Sequence, residues 1–371
     1  MDRRSFINKA GVSGAAIAVA GHTIAQNTTI NPLRVAVIGL VHTHVHGILG
    51  REKKGDISIV AIVEPNKNLA RKYAREHGFS LDIVFDTVEE MLEHVKPEAV
   101  STFTTTYDHL RVVEFFAPRG IHVMVEKPLA VNMIHAKKML ELALKHKIQL
   151  LTNYETTWYG THQKAWQYMI EEKKGGDLRK IVFHTGHSGP FEIGCNPEFT
   201  DWLTDPILNG GGALTDFGCY GANLATWLMK GAKPLAVSCM TQQIKPEIYP
   251  KVEDEATIVI TYPKSQVIIQ ASWNWAFNRK DMEVYGQHGY LICEDRNKLN
   301  HRWKGTELAV KETIPENNTP FNDPFSFLTA VVRKTITLQP FDLSSLENNM
   351  IVMEILDAAR ESVNSGKTIR L

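Results

Sequence analysis

The sequence predicts an α/β protein in which a doubly wound parallel sheet occupies the N-terminal half and an α+β half with a large, mainly antiparallel sheet follows. Three observations support this. From Leu33 onward, apolar strands alternate with helical stretches of about 10 to 15 residues, the rhythm of right-handed β-α-β crossovers. In the second half the strands follow one another through turns instead of helices, which implies antiparallel pairing. At 371 residues, with 43% apolar and 22% charged side chains, the chain is long enough for two ordinary cores.

The elements can be read in order. "LRVAVIGL" is an apolar strand, residues 45–54 can form a helix, and "ISIVAIVE" is a second strand ending at Glu64. A helix over "NKNLARKYAREHG", a short strand near "DIVF" and a helix at "TVEEMLEHV" follow. The strand "AVSTFT", the helix "HLRVVEFFAPRG" and the strand "HVMVEK" complete residues 33–150 as one dinucleotide-binding, Rossmann-type unit. Residues 151–371 are expected to form a substrate-binding α+β unit with strands at "RKIVFHTGHS", "PLAVSCMTQQI", "EATIVITYP", "SQVIIQASWNW", "KDMEVYGQHGYLICED" and "HRWKGTELAVKE". The closing helix over "LSSLENNMIVMEILDAARESVNSG" has apolar residues at 346, 350, 353, 356 and 359 and a Gly366 cap. It is expected to pack back on the first unit.

Residues 1–25 read differently. Arg3-Arg4 precede Ser5-Phe6-Ile7, then Lys9, a weakly apolar run from Ala10 to Ala20, and small residues suited to cleavage. That run is too short to span a bilayer and has the form of a twin-arginine export signal, which implies a periplasmic or otherwise exported protein. A basic leader on a cytoplasmic protein is the alternative. Equal numbers of basic and acidic residues, 41 of each, give no electrostatic footprint for nucleic acid or an anionic membrane. The four cysteines are scattered without a C-x-x-C, so they read as small core residues and not as a metal or disulfide framework.

The first strand leads into a rewritten phosphate loop. Of G-x-G-x-x-G only Gly39 is in place, with Val41 at the second glycine and His44 at the third. The N–H groups at the following helix start are expected to remain free for an anion whatever the side chains are. Glu64, 25 residues on at the end of the second strand, suits a ribose hydroxyl and repels a 2′-phosphate, so NAD is preferred to NADP. His42 and His46 have metal spacing if the helix starts early, but no third ligand is identifiable and no metal is expected. Contacts from His42 or His44 to pyrophosphate or ribose, and simple loop packing, both stay open. Glu126-Lys127-Pro128 ends a strand and places a lysine at the carboxyl edge of the parallel sheet, where open α/β folds bind ligands. Gly210 to Gly212 then precede a helical segment in which Asp216 and Tyr220, four residues apart, share a face.

With these motifs in this order, the chain resembles the Gfo/Idh/MocA oxidoreductase family over nearly all of residues 33–371. "DWLTDPILNGGGALTDFGCY", with tyrosine at 220 where many relatives have histidine, is nearest the glucose-fructose oxidoreductase branch. The resemblance implies a nicotinamide cofactor beside Gly39, Leu40, His42, His44, Glu64, Thr104, Thr105, His109, Glu126 and Lys127. It also implies catalysis by Lys127, Tyr220 and Asp216 on a small carbohydrate or polyol. A tyrosine base with its pKa lowered by the Lys127 ammonium fits removal of the hydroxyl proton, with Asp216 orienting the sugar or balancing the lysine. Tyr154, Trp158, His162, His187, Trp273, Trp275 and Arg279 are the further residues considered for the cleft, aromatic rings suiting the apolar faces of sugars. Three functions remain open: an oxidoreductase with a recycled cofactor, an NAD-dependent glycosidase acting by oxidation, elimination, water addition and re-reduction, and a non-catalytic sugar-binding protein. A homo-oligomer through the second sheet is an assembly the fold allows.

Overall fold

The computed structural model describes residues 31–371, and Pro32–Leu371 form one compact unit. The leader expected over residues 1–25 lies outside the described residues. Six strands, Leu33–Ile38 (β1), Ile57–Val63 (β2), Val84–Phe85 (β3), Ala99–Thr102 (β4), His122–Glu126 (β5) and Leu150–Asn153 (β6), pair in parallel in the order β3-β2-β1-β4-β5-β6. Apart from the exposed Arg34 near its start, β1 is apolar because both faces are covered. Val35 and Val37 point into one core and Ala36 and Ile38 into the other. The crossover helices are Val45–Leu49 (α1), Lys67–His77 (α2), Val88–His94 (α3), His109–Phe116 (α4) and Met133–His146 (α5). Asn66, Thr87 and Asn132 cap α2, α3 and α5 by accepting N–H bonds, and Gly78 ends α2 in the left-handed conformation.

α1 is shorter than the helix expected over residues 45–54. The chain leaves it at Gly50, and Arg51 turns to hold Asp56 and Asp323. Asp323 caps Pro324–Val332 (α10), an element without a counterpart in the sequence reading. α10 returns from the far end of the chain to the first sheet, where Phe325, Phe327, Leu328 and Val331 join Val35, Val37, Met124 and Leu151 in one core.

After Gly160–Trp166 (α6), the second sheet contains nine strands: Leu178–Gly186 (β7), Ala236–Gln242 (β8), Glu255–Thr261 (β9), Gln266–Ser272 (β10), Arg279–Gly286 (β11), Gly289–Cys293 (β12), Lys298–Trp303 (β13), Val310–Thr313 (β14) and Ile369–Arg370 (β15). Their order is β14-β13-β12-β11-β7-β10-β9-β8-β15, antiparallel except where β10 runs parallel to β7. Between β7 and β8 lie Pro197–Leu203 (α7), Ala213–Asp216 (α8) and Gly218–Leu228 (α9). The last helix, Leu346–Ser365 (α11), is capped by Ser345 and ended by Gly366 at φ 67°, and it packs on α9, β8 and α5. Its buried face includes Met353, Leu356 and Ala359, as the spacing indicates, but also Asn348 and Asn349. Asn348 donates to the Asn223 carbonyl of α9, and Asn349 donates to the carbonyls of Leu343 and Ser345.

Candidate active site

Lys127 follows β5 directly and is almost fully buried. Its Nζ donates to the Asp216 carboxylate and, at 3.1 Å, to the Asp216 carbonyl. Trp273 Nε1 donates to the other carboxylate oxygen at 3.0 Å. Burial pulls the ammonium pKa down, yet the Asp216 carboxylate outweighs it and leaves the pKa raised. Asp216 is the mirror case: burial pushes it up, and Lys127 more than reverses this. The resting pair is therefore ionic.

Asp216 and Tyr220 do not share a continuous helix as expected, because α8 stops at Asp216 and α9 starts at Gly218. Side-chain donors take the carbonyls at the junction. Asp216 O accepts from Lys127 and the Cys219 thiol, and Phe217 O accepts from Thr185 at 3.0 Å. Gly212, just before α8, lies so close to the Glu253 carbonyl that a Cβ there would clash with it. Tyr220 still reaches the site, and its ring has Lys127 Nζ at 5.1 Å and Lys280 Nζ at 5.0 Å. The expected lowering of its pKa is overturned. Burial pushes the phenol well above its ordinary value, with Glu155, Cys219 and Asp216 adding to the rise. Among the described residues its hydroxyl has no hydrogen-bond acceptor.

A polar cavity of about 490 Å³ opens beside this cluster, lined by Glu155, Tyr159, His187, Arg279, Lys280 and Asp281 among others. Glu155 pairs with Lys280 and accepts from Tyr159 Oη at 2.7 Å. Burial raises the Glu155 carboxyl, but Lys280 and Tyr159 prevail and bring it down to about 2. His187 Nδ1 accepts the Gly189 N–H at 2.9 Å, so the neutral ring carries its proton on Nε2 and is a donor. Trp275 is half-buried beside Arg279 and His184. Trp273 is fully buried and holds Asp216, so it offers no sugar-stacking face. Tyr154 is fully buried, edge-on to Tyr220. Trp158 donates to Asn153 and, with His44, Glu155 and Phe325, lines a second cavity of about 330 Å³. His162 is buried, with Nδ1 donating to the Thr156 carbonyl.

The phosphate loop is more committed than its sequence suggests. Val45, His46 and Gly47 donate their N–H groups to the carbonyls of His42, Thr43 and His44, and the His44 N–H goes to His42 Nδ1. The expectation of a free helix start is thereby corrected, because the His42 ring and the loop carbonyls already take those donors. Among the described residues, the N–H groups of Val41 and Thr43 remain without an acceptor. Gly39 has φ +79°, and a Cβ there would lie 2.8 Å from Thr104. A tight turn with two free N–H groups over the sheet edge still fits a pyrophosphate. Glu64 is buried and accepts the N–H groups of Leu40 and Asn66, and burial raises its pKa. Its remaining lone pairs are what a ribose hydroxyl would use.

Around the loop, Thr104 bonds Thr102, Thr105 donates to Asp108, and His109 Nδ1 donates to the Leu129 carbonyl. His44 Nδ1 lies 2.8 Å from Glu126, whose other oxygen accepts from Asn153. His42 packs against Phe199 and Trp202 of α7, and Trp202 Nε1 donates to the Val41 carbonyl. His46 turns away to His77, so His42 and His46 share no metal-binding face. Glu155, Lys280 and the α7 rings are the site residues the sequence reading missed. Their place depends on β11 pairing with β7 and on α7 crossing to the first sheet, pairings that no local pattern specifies.

Two family models match the chain: "Oxidoreductase family, NAD-binding Rossmann fold" over residues 33–154, and "GFO/IDH/MocA C-terminal domain" over residues 163–292. The chain belongs to the Gfo/Idh/MocA family. It is an oxidoreductase with an NAD-binding first half. Among Gfo/Idh/MocA relatives, trans-1,2-dihydrobenzene-1,2-diol dehydrogenase of Sus scrofa is 23% identical over 341 residues, covering 88% of this chain and 94% of that one. D-xylose 1-dehydrogenase (NADP(+)) of Haloarcula marismortui is 23% identical over 355 residues, covering 93% and 95%. The crystal structure of aldose-aldose oxidoreductase from Caulobacter crescentus, complexed with glycerol, superposes with a TM-score of 0.76 at 19% identity, covering 92% of this chain and all of that one. No helix among the described residues is long and apolar enough to cross a membrane.

Proposed function

We propose that the protein oxidises a secondary hydroxyl of a sugar or related polyol and returns the hydride within the same site, using a tightly held nicotinamide cofactor, NAD in preference to NADP. The observation that carries this reading is Lys127, a buried ammonium kept charged by Asp216 and set against Tyr220 beside a polar cavity. When bound, the cofactor supplies the hydride acceptor and donor. The Gly39 turn, the N–H groups of Val41 and Thr43, and Glu64 would hold it.

Lys127 hydrogen-bonds the reacting oxygen. It takes the hydroxyl proton as Asp216 takes one of its own, and gives a proton back when a carbonyl is reduced. Tyr220 stays protonated and acts as a neutral donor, as does His187 through Nε2–H. The carboxylates Glu155, Asp281, Glu283, Glu294 and Asp295 outnumber Arg279 and Lys280 around the cavity. Such a wall accepts bonds from many hydroxyls and repels sugar acids and sugar phosphates. The named activities of the curated relatives, on a diol and an aldose, support the same substrate class.

The closed cycle rests on the export signal proposed for residues 1–25, since nicotinamide cofactors are made in the cytoplasm and exchange is poor outside it. The purified protein should carry its cofactor and turn over candidate glycosides or aldose–ketose pairs in cofactor-free buffer, without reduced nicotinamide accumulating. Steady release of reduced cofactor with a strict need for added NAD would sink the cycle and leave an ordinary dehydrogenase. The products distinguish net redox exchange from glycoside cleavage, and binding without turnover would restore the sugar-binding alternative.

A further inference from the structure

Three groups of side chains among the described residues bring metal-ligating atoms together: His42, His44 and Glu126; His184, Asp281 and Glu283; and His46, Glu76 and His77. In the first, Asn153 holds Glu126, the His44 N–H occupies His42 Nδ1, and the group belongs to the cofactor loop. In the second, Arg279 grips both oxygens of Asp281, placing a cation where a metal would sit.

The third group has no such competitor. His46 Nδ1 lies 2.8 Å from His77 Nε2, and Glu76 Oε1 lies 3.5 Å from the first and 3.8 Å from the second. Ligands about 2.0–2.1 Å from a tetrahedral zinc stand about 3.3 Å apart, a separation these three edges straddle. Among the described residues Glu76 has no lysine or arginine partner. Two imidazole nitrogens this close need one proton between them when metal-free, and need none when both lone pairs face a metal. The rings are held in place: Tyr73 packs against His46 at 4.8 Å and meets His77 edge-on at 6.1 Å. Glu76 and His77 end α2 and His46 lies in the first turn of α1, so the three come from two elements with little freedom to separate.

We propose that His46, Glu76 and His77 bind one divalent transition-metal ion of the zinc type, with a water completing the tetrahedron, and that the ion ties the start of α1 to the end of α2. The two-histidine, one-carboxylate set suits zinc and, in the same geometry, cobalt, and it disfavours magnesium and calcium, which require more oxygen ligands. The ion lies outside the polar cavity and takes no part in the proposed oxidation. Its binding can therefore be tested whether or not that reading holds.

The experiment uses the untagged full chain, stripped with a chelator and titrated with cobalt(II) chloride, then with zinc chloride in competition. One equivalent of cobalt should give the visible bands of four-coordinate ions, zinc should displace it, and the unfolding midpoint should rise with either metal. His46→Ala and Glu76→Gln should each weaken binding by more than the about 10- to 100-fold typical of losing an outer-shell partner. His184→Ala should leave binding unchanged. Glu76→Gln is half-exposed and conservative, so it carries the test if His46→Ala fails to fold. Uptake below one equivalent by the wild-type chain, uptake unaffected by Glu76→Gln, or loss in His184→Ala overturns the site.

Discussion

Lys127 keeps its charge although it is almost fully buried, because Asp216 neutralises it and Trp273 fixes Asp216. Tyr220 lies beside that pair without sharing its charge, and burial keeps its proton on. The two residues should therefore respond differently to truncation. Lys127→Ala should lower turnover by about two to four orders of magnitude, the range for loss of a positioned acid or base. Tyr220→Phe should lower it by only about fivefold, as for a neutral hydrogen bond worth about 1 kcal/mol. Steady-state kinetics on the substrate that the cofactor-free assay identifies decides this, and equal losses in both variants would return the base to Tyr220. The same residues mark the limits of sequence reading. The motifs single out Lys127, Asp216 and Tyr220 as candidates, but the direction of the Tyr220 shift depends on burial and on Glu155, and neither is written near position 220.

At the scale of elements, the parallel sheet was legible because its strands β1 to β5 are short, mostly apolar runs between helix-forming stretches. In the second sheet the stretches that hold β7 to β14 were legible, two of them containing a pair of strands each, but β15 and the strand order were not. β7 lies in the middle, parallel to β10 and antiparallel to β11, and that pairing sets Lys280 opposite Glu155. α10 was missed because an apolar helix of nine residues carries no periodicity when nearly all of it is buried. Its Leu328 has no exposed surface and lies in the core of the first sheet. Leu328→Ala should destabilise the whole protein by about 2–5 kcal/mol, as for a deep core cavity, measured as a shift in denaturant midpoint without change of slope. A loss below about 1 kcal/mol would mean that α10 is a dispensable cover.

For the whole molecule, stability should depend on acid in a window set by buried histidines. His109 and His162 are neutral inside the fold, each drawn down to about 4 chiefly by burial, and burial also holds His42 well below its ordinary value. Their ordinary value is 6.5, so the unfolded chain binds more protons than the folded one below that pH. Stability should be complete above about pH 6.5 and fall steadily as the pH drops toward 4. His162→Asn, which keeps a donor near the Thr156 carbonyl, should flatten part of that slope. Urea midpoints measured across the window test this, and a slope unchanged in the variant would exclude His162 as a contributor.

The return of α10 to the first sheet also bears on how the protein is made. The first sheet ends at Asn153, but the helix that covers part of one of its faces ends only at Val332. At the about 5–20 residues per second of synthesis, an incomplete apolar surface leaves the ribosome roughly ten to forty seconds before its cover. The nascent first half is then a client for any chaperone that recognises exposed valine and leucine. A fragment cut after residue 154, although it contains every strand of the sheet, should aggregate where the intact polypeptide does not.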